Sequence, residues 1–193
     1  FILDTLCGLT FRISSQSFYQ VNATQTEVLY NEAIRLANLT GAETVIDAYC
    51  GTGTIGLVAA RRGAARVIGV DSVPSAIRDA ANNARHNGVE NAEFVTQDAT
   101  AFMKELEASE ERPQPLVLLM DPPRAGSAPE FLEAATSLAP ERIVYISCNP
   151  ATQARDVRQL VESGYEVRAV RPVDMFPHTD HVESIVLLEK RND

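Results

Sequence analysis

The sequence lacks the features that mark secreted, zinc-bound or membrane-spanning chains. No apolar run approaches the roughly 18 residues that a transmembrane helix needs, and no basic segment precedes an apolar one at the start, as a secretory signal requires. The three cysteines, Cys7, Cys50 and Cys148, lie far apart without a CxxC pair, which argues against a disulfide framework and a structural zinc site. We therefore expect a cytoplasmic protein with free thiols, no membrane contact and no metal.

Basic residues are also scarce. Lys and Arg number 17 against 26 Asp and Glu, which gives a formal net charge of -9. On electrostatics alone, this charge argues against a protein that binds nucleic acid by itself. The 193 residues, 45% of them hydrophobic, suit one domain with a full core. The chain also starts at Phe1 rather than at a methionine.

Strand-like runs rich in β-branched residues alternate with helix-like segments rich in Ala, Leu, Glu and Arg. This alternation predicts an α/β fold, a parallel sheet with helices on both faces. The last two strand-like runs, 165–173 and 182–189, leave no room for a crossover helix, so the mostly parallel seven-stranded sheet should have an antiparallel edge strand. The other expected sheet strands are 44–47, 66–71, 92–95, 116–120 and 142–147, after a short strand at 9–13; the expected helices are 22–39, 55–62, 74–86, 99–108, 130–138 and 151–163.

A glycine loop follows the first strand of the predicted sheet. Gly51, Gly53 and Gly56 fit G-x-G-x-x-G, a spacing that lets a ligand approach the backbone at a helix N-terminus. Asp71 ends the next strand, 20 positions after Gly51, where a carboxylate can accept hydrogen bonds from two ribose hydroxyls. The combination predicts a nucleoside-containing cofactor; a glycine turn that merely closes a strand-helix corner is the alternative.

Two other carboxylates bear on the identity of that cofactor. Asp47 ends the strand before the glycine loop, where it would be unfavourable beside a pyrophosphate and favourable beside the cationic amino-acid end of a sulfonium cofactor. Asp98 follows the third strand, where it could hold an adenine amino group. These placements favour S-adenosylmethionine over a nicotinamide dinucleotide.

Two further loops follow strands whose carboxyl ends meet at the ligand-binding edge of such a sheet. In the first, two prolines stiffen a turn that presents Asp121 at the rim, although a plain Pro-rich turn would look the same. In the second, Asn149 suits a helix N-cap and Pro150 the first helical position, so Cys148 lies beside a helix N-terminus, whose dipole favours a thiolate. Cys148 is thus a candidate nucleophile, with a buried structural cysteine as the alternative.

The final strand follows a loop rich in Pro, His and Asp. Glu183 begins this strand and could point back to the same rim, with a solvated strand-end glutamate as the alternative. His178 and His181 are expected to form loop hydrogen bonds rather than bind a metal, since no carboxylate or cysteine accompanies them at ligand spacing.

Five motifs run in order along the chain: FYQVN at 18–22, DAYCGTGT at 47–54, DPPRAG at 121–126, SCNPAT at 147–152 and HTDHVE at 178–183. Together they resemble the RNA (uracil-5-)-methyltransferase family, with the nearest likeness to the branch that acts on 23S ribosomal RNA. The resemblance implies a Rossmann-like class I methyltransferase fold and a covalent mechanism. Cys148 would add to C6 of a uracil so that C5 can accept a methyl group, and Glu183 would then remove the C5 proton.

The resemblance also implies how cofactor and base are held. Asp121 fits a contact to the cofactor and a contact to the uracil edge equally well. A stacked uracil cannot present C6 to a thiol, so the base should be flipped into the site. The residues expected to bind S-adenosylmethionine are Gln20, Tyr49, Gly51, Asp71, Asp98 and Asp121.

The resemblance gives the acidic balance and the absent methionine a different meaning. Such enzymes usually carry an oligonucleotide-binding module ahead of the catalytic domain, so we expect a fragment: residues 1–21 as a lead-in and 22–193 as the catalytic domain. We expect the RNA substrate to be 23S rRNA, with tRNA as the alternative. The missing N-terminal region would supply most of the RNA binding, so the fragment, a monomer, would bind RNA poorly on its own. Arg124, Arg155 and Arg158 are candidate phosphate contacts, with solvated surface arginines as the alternative.

Three other functions stay open at this point. An amino-group methyltransferase uses a similar acidic-Pro-Pro loop and needs no cysteine. A non-catalytic RNA- or nucleotide-binding module would bind S-adenosylmethionine weakly or not at all. A dinucleotide-dependent dehydrogenase would leave the Cys148 motif and Glu183 unexplained.

Overall fold

The computed structural model describes residues 1–13, 20 and 22–191. Strands and helices alternate through most of these residues, as the sequence predicts. In chain order the elements are β1 (Ile2–Leu6), β2 (Leu9–Ile13), α1 (Ala23–Ala37), β3 (Thr44–Ala48), α2 (Thr54–Arg61), β4 (Arg66–Asp71), α3 (Pro74–His86), β5 (Ala92–Thr96), α4 (Ala99–Ala108), β6 (Leu116–Met120), α5 (Pro129–Ser137), β7 (Arg142–Ser147), α6 (Pro150–Glu162), β8 (Tyr165–Val173) and β9 (Glu183–Lys190).

A seven-stranded sheet forms the centre, in the order β5-β4-β3-β6-β7-β9-β8. The strands β3 to β7 pair in parallel, while β9 pairs antiparallel with both β7 and β8. The predicted mostly parallel sheet with an antiparallel pair at one edge is confirmed. The strand that runs against the others, β9, lies one position inside that edge. Strand order reverses direction between β3 and β6, and such a point is where open α/β sheets bind ligands.

Each face of the sheet is covered by its own layer of helices and its own core. Because strand side chains alternate between faces, neighbouring residues of β3 enter different cores. Val45 packs with α1, α2 and the β1–β2 hairpin, whereas Ile46 packs with α4, α5 and α6. Within the described residues, no helix is long and apolar enough to cross a membrane.

Local signals set the helix ends. Asn22 caps α1 by accepting a hydrogen bond from the Gln25 N–H (3.2 Å), and Asn38 ends the helix in the left-handed conformation at a φ of 47°. The predicted helix 22–39 therefore ends earlier than expected, because Asn tolerates this conformation with little strain. The bounds of α3 and α4 agree with the prediction.

The β1–β2 hairpin precedes the sheet and packs against it. Asn87 of α3 accepts a hydrogen bond from the Thr10 N–H (2.9 Å) and donates one to the Thr10 carbonyl (2.7 Å). Asn83 likewise accepts from the Arg12 N–H (2.8 Å). These side-chain amides take the place of a neighbouring strand, so β2 is fixed to the helix layer. The strand β2 was predicted, and β1 was not.

Candidate active site

A cavity of about 650 Å³ opens at the carboxyl ends of the parallel strands. Its lining comes from the loops after β3, β4, β5, β6 and β7 and from the first residue of β9, which runs in the opposite direction. The structure brings together here all eight residues that the sequence analysis assigned to a site: Gln20, Tyr49, Gly51, Asp71, Asp98, Asp121, Cys148 and Glu183. In the 18–22 motif, Phe18, Tyr19 and Val21 lie outside the described residues.

The glycine loop turns sharply between β3 and α2. Gly53 occupies the N-cap position of α2 at a φ of 77°, and a Cβ there would lie 2.7 Å from the ring of Phe94. Glycine is thus required both for the turn and for close packing of the loop against β5. Tyr49 also has a positive φ, 64°, which is unusual for a residue with a side chain. Its hydroxyl donates to Ser127 Oγ (3.3 Å), which anchors the strained residue.

Two carboxylates beside this loop are held by backbone donors. Asp71 accepts hydrogen bonds from the Gly51 N–H and the Val73 N–H, both at 2.9 Å. Asp98 caps α4 by accepting from the Ala101 N–H (3.0 Å). Each carboxylate is therefore fixed in orientation where it lines the cavity, and each oxygen still has a lone pair for a ligand hydroxyl or amino group.

Asp47 does not line the cavity, contrary to the expectation that it would meet the cationic end of a cofactor. It is buried behind the glycine loop, and its Oδ2 has no hydrogen-bond partner. A Cβ on Gly56 would lie 2.6 Å from that oxygen. Burial, reinforced by the charges of Asp121 and Asp71, raises the pKa of Asp47 to about 8, against a hydrogen bond from the Gly56 N–H. A neutral carboxylic acid is the expected form of Asp47 at pH 7.

Cys148 and Glu183 come together through the antiparallel pairing of β7 and β9. The ladder ends where Ser147 lies opposite Ser184, so Cys148 and Glu183 lie immediately beyond its last pair, and both line the cavity. The buried amide of Gln153 donates to the carbonyls of Tyr145 (2.9 Å) and Ser184 (3.1 Å), which joins the two strands next to this point. A thiol and a carboxyl group are thereby fixed at one end of the cavity.

Burial raises the pKa of all three titratable groups at this end of the cavity. Burial raises the pKa of Cys148, and the charges of Glu183 and Asp121 raise it further, while the Arg124 guanidinium lowers it. Burial and the charge of Glu183 raise the pKa of Asp121 to about 7, and burial raises the pKa of Glu183. Asn149 does cap α6, with Pro150 in its first turn. The pKa of Cys148 is nevertheless raised, so the protonated thiol is favoured over the thiolate that was expected at this helix N-terminus.

Of the three arginines considered as phosphate contacts, only Arg124 lines the cavity. Arg155 donates to Asp156 Oδ1 (2.9 and 2.8 Å) and to the Ala125 carbonyl (2.9 Å), so its guanidinium is used within the protein. Arg158 pairs with Glu162 on the exposed face of α6. Phosphate contacts by Arg124, Arg155 and Arg158 stay predictions.

Two residues of the cavity wall, in the loop between β8 and β9, are not among those predicted from the sequence. Phe176 and His181 both line the cavity, with ring centroids 6.5 Å apart in an edge-to-face arrangement. Their position just before Glu183 was the only available signal. Within the residues described, no three His, Cys, Asp or Glu side chains are grouped so as to hold a metal ion.

The sequence profile of the tRNA (uracil-5-)-methyltransferase family matches residues 7–191. An uncharacterised RNA methyltransferase of Halalkalibacterium halodurans is 51% identical over 192 residues, covering 100% of this chain and 41% of the relative. One from Lactiplantibacillus plantarum is 52% identical over 188 residues, covering 97% of this chain and 40% of the relative. The chain thus spans about two fifths of these relatives.

Solved structures give the same picture of the fold. The Pyrococcus abyssi tRNA (uracil-54, C5)-methyltransferase, in complex with S-adenosyl-L-homocysteine, superposes with a TM-score of 0.83 at 36% identity, over 97% of this chain and 44% of that one. A SAM-dependent methyltransferase of Agrobacterium tumefaciens superposes with a TM-score of 0.75 at 19% identity, over 98% of this chain and 70% of that one. The second likeness concerns the fold alone.

Proposed function

This chain belongs to the tRNA (uracil-5-)-methyltransferase family, and we propose that it is the catalytic part of an enzyme that methylates C5 of a uridine in RNA to give 5-methyluridine. The observation that carries the proposal is that Cys148 and Glu183, just beyond the last β7–β9 pair, together line one end of a cavity whose other end is the glycine loop. The proposed catalytic domain is 22–193, and the lead-in, 1–21, contributes Gln20 to the cavity.

The cavity fits S-adenosylmethionine as the cofactor. Asp71 is oriented by backbone donors to accept hydrogen bonds from two ribose hydroxyls, and Gly51 leaves the backbone open to close approach. Asp98 is placed to accept from the adenine amino group. Gln20, Tyr49 and Asp121 complete the proposed binding set, which is that expected from the sequence. When bound, the cofactor supplies an electrophilic methyl group.

Cys148 and Glu183 would carry the two covalent steps at the uracil ring. Cys148 first releases its thiol proton to water, and the resulting thiolate adds to C6, forming a C–S bond and making C5 the nucleophilic end of an enolate. Once C5 carries the methyl group, Glu183 takes the remaining C5 proton, the C6–S bond breaks and the C5=C6 double bond is restored. The raised pKa of Glu183 suits this role, because it makes the carboxylate a stronger base.

The charge around the site supports a proposal that most of the RNA is bound outside this chain. Four carboxylates line the cavity, and Arg124 is the one arginine or lysine among the described lining residues. Phosphates are therefore poorly attracted to it, in line with the net charge of -9. We propose that this chain is a monomer. We further propose that the RNA, 23S rRNA with tRNA as the alternative, is bound mainly by a region that the longer relatives have and this chain does not cover, and that the base is flipped to reach Cys148.

Trapping on 5-fluorouridine RNA tests this function. Fluorine at C5 cannot leave as a proton, so an adduct between protein and RNA should accumulate in the presence of S-adenosylmethionine. The protein is incubated with 5-fluorouridine transcripts of 23S rRNA and of tRNA, adducts are separated on denaturing gels, and the modified peptide is identified by mass spectrometry.

An adduct at Cys148 with the 23S transcript is the expected result, whereas an adduct with tRNA alone would reassign the substrate. Methylation without any adduct would favour an amino-group methyltransferase. Failure to bind S-adenosylhomocysteine in calorimetry would indicate a non-catalytic module.

A further inference from the structure

We propose that Asp156 is a positioning residue that fixes the two loops presenting Asp121 and Cys148, an inference that rests on the function proposed above. Asp156 lies on α6 and is 1% exposed. It does not line the cavity. A buried carboxylate is costly unless its oxygens are paired, so the partners of Asp156 show which parts of the molecule it joins.

Both oxygens of Asp156 are saturated with donors. Oδ2 accepts from the hydroxyl of Tyr145 (2.7 Å) and from the N–H of Ser127 (2.8 Å). Oδ1 accepts from Nε (2.9 Å) and Nη2 (2.8 Å) of Arg155. The four hydrogen bonds come from three segments: β7, the loop after β6 and α6 itself.

Two of these segments lead to groups of the proposed reaction, Cys148 after β7 and Asp121 at the start of the loop after β6. Tyr145 is three residues before Cys148, on the same strand and loop, and Ser127 ends the loop that begins at Asp121. The loop is shaped around the carboxylate, because a Cβ on Gly126 would lie 2.6 Å from Asp156 Oδ2. Gly126 also has a φ of 78°, which disfavours any other residue there.

The same loop is tied to the Cys148 loop and to the glycine loop. The Arg124 carbonyl accepts from Asn149 Nδ2 and from Thr152 Oγ1, both at 3.0 Å. On the other side, Ser127 Oγ accepts from the hydroxyl of Tyr49. Loss of the Asp156 bonds would therefore let the carboxyl group of Asp121 and the guanidinium of Arg124 move relative to the thiol of Cys148.

A network of this kind contributes geometry more than stability. Replacing a buried ion pair by apolar residues is often neutral or stabilising, whereas a fully satisfied polar network rigidifies its surroundings. Misplacement of reacting groups by about 1 Å can cost roughly 100-fold in rate. We therefore expect substitutions at Asp156 to affect the chemistry at Cys148 more than the affinity for cofactor.

The test compares Asp156→Asn with Glu162→Gln, an exposed carboxylate-to-amide change on the same helix. The first readout is the rate at which iodoacetamide alkylates Cys148 in the ligand-free protein, separated from Cys7 and Cys50 by peptide mass spectrometry. We expect alkylation to be faster by about fivefold or more in Asp156→Asn, because one lost hydrogen bond corresponds to about that factor. Glu162→Gln should match the wild type.

The second readout is the rate of adduct formation with 5-fluorouridine RNA, with S-adenosylhomocysteine affinity measured in parallel. Asp156→Asn should slow adduct formation by about 10- to 100-fold and change affinity by less than about fivefold. A folded Asp156→Asn protein with wild-type alkylation and adduct rates would overturn the proposal.

A second variant covers the case in which Asp156→Asn does not fold. Tyr145→Phe removes a single donor, and the same two rates should change in the same directions by smaller factors; unchanged rates would again overturn the inference. If the wild type forms no adduct even at RNA concentrations high enough to offset its weak RNA binding, the proposed function fails, and the alkylation rate of Cys148 still decides the role of Asp156.

Discussion

The two halves of the cavity treat their polar groups differently. The cofactor half, formed by Tyr49, Gly51, Asp71 and Asp98, orients its carboxylates with backbone N–H donors. The chemistry half, formed by Asp121, Cys148 and Glu183, has three titratable groups whose pKa values are all raised, with burial as the largest cause. Asp47, with its own raised pKa, lies behind the lining of the cofactor half.

The difference shows which half is built to hold a ligand and which is built to move protons. Backbone donors fix a carboxylate in one geometry, which suits recognition of hydroxyl and amino groups. Burial brings the pKa of the Asp121 carboxyl to about 7 and raises that of Glu183, which suits proton transfer, whereas the raised pKa of Cys148 keeps its thiol protonated. The antiparallel placement of β9 creates the second half, because it alone brings the start of a strand to the edge where all other strands end.

The largest expected effect comes from removing the nucleophile of the chemistry half. Cys148→Ser should lower the methylation rate by at least about 10⁴-fold, since a serine hydroxyl is far less nucleophilic than a thiolate. Affinity for S-adenosylhomocysteine, measured by calorimetry, should stay within about threefold, because Cys148 serves the other half. Cys7→Ser is the matched control. Loss of cofactor affinity in Cys148→Ser would show that the halves are not separate.

Removal of the proposed base should give the next largest effect and a different signature. Glu183→Gln should slow turnover by about 10²- to 10⁴-fold and let the covalent adduct accumulate on ordinary, unfluorinated RNA, because methylated C5 cannot lose its proton. Denaturing gels measure the adduct. Glu189→Gln, on the same strand, is the control. Slow turnover without any accumulated adduct would place Glu183 before, rather than after, methyl transfer.

Asp71 offers the complementary test in the cofactor half. Asp71→Asn should weaken binding of S-adenosylhomocysteine by about 10- to 100-fold, the range for hydrogen bonds to a charged group. The alkylation rate of Cys148 should not change, because the hydrogen-bond donors to Asp71, Gly51 and Val73, lie at the cofactor half of the cavity. Glu90→Gln controls for the change in charge. An altered alkylation rate would reveal coupling between the halves.

Much of the fold could be predicted because local signals agree with tertiary packing. Strand β4 alternates with the helix that Pro74 begins, and both were predicted to the residue. The strand β1 was missed because Ile2 and Leu3 are exposed and the strand exists only through its pairing with β2. An exposed strand that is formed by pairing alone shows no alternation of buried and exposed residues by which its sequence could be recognised.

The lining of the cavity could be predicted from the ends of strands, but its electrostatics could not. Sequence spacing placed Cys148 beside a helix N-terminus. It could not show that Glu183 lies near the thiol, or that burial raises the pKa of that thiol. The hydrogen bond from Arg155 to Asp156 could not be predicted either, because neighbours in sequence on a helix do not ordinarily face each other. These features depend on side-chain burial, which only the assembled fold determines.

The smallest expected effect is a pH-dependent difference in stability at Asp121. Its pKa is raised from 3.8 to about 7 in the folded protein, so between these values the folded state holds a proton that the unfolded state has released. The free energy of unfolding therefore falls as pH rises through this window, and the full loss of stability is present above it.

Asp121→Asn does not titrate. Its melting temperature, measured by scanning fluorimetry from pH 5 to pH 8, should rise relative to the wild type by several degrees. Glu90→Gln, on the surface, should show no such trend. Parallel curves for Asp121→Asn and wild type would mean that the ligand-free chemistry half does not hold Asp121 in its protonated form.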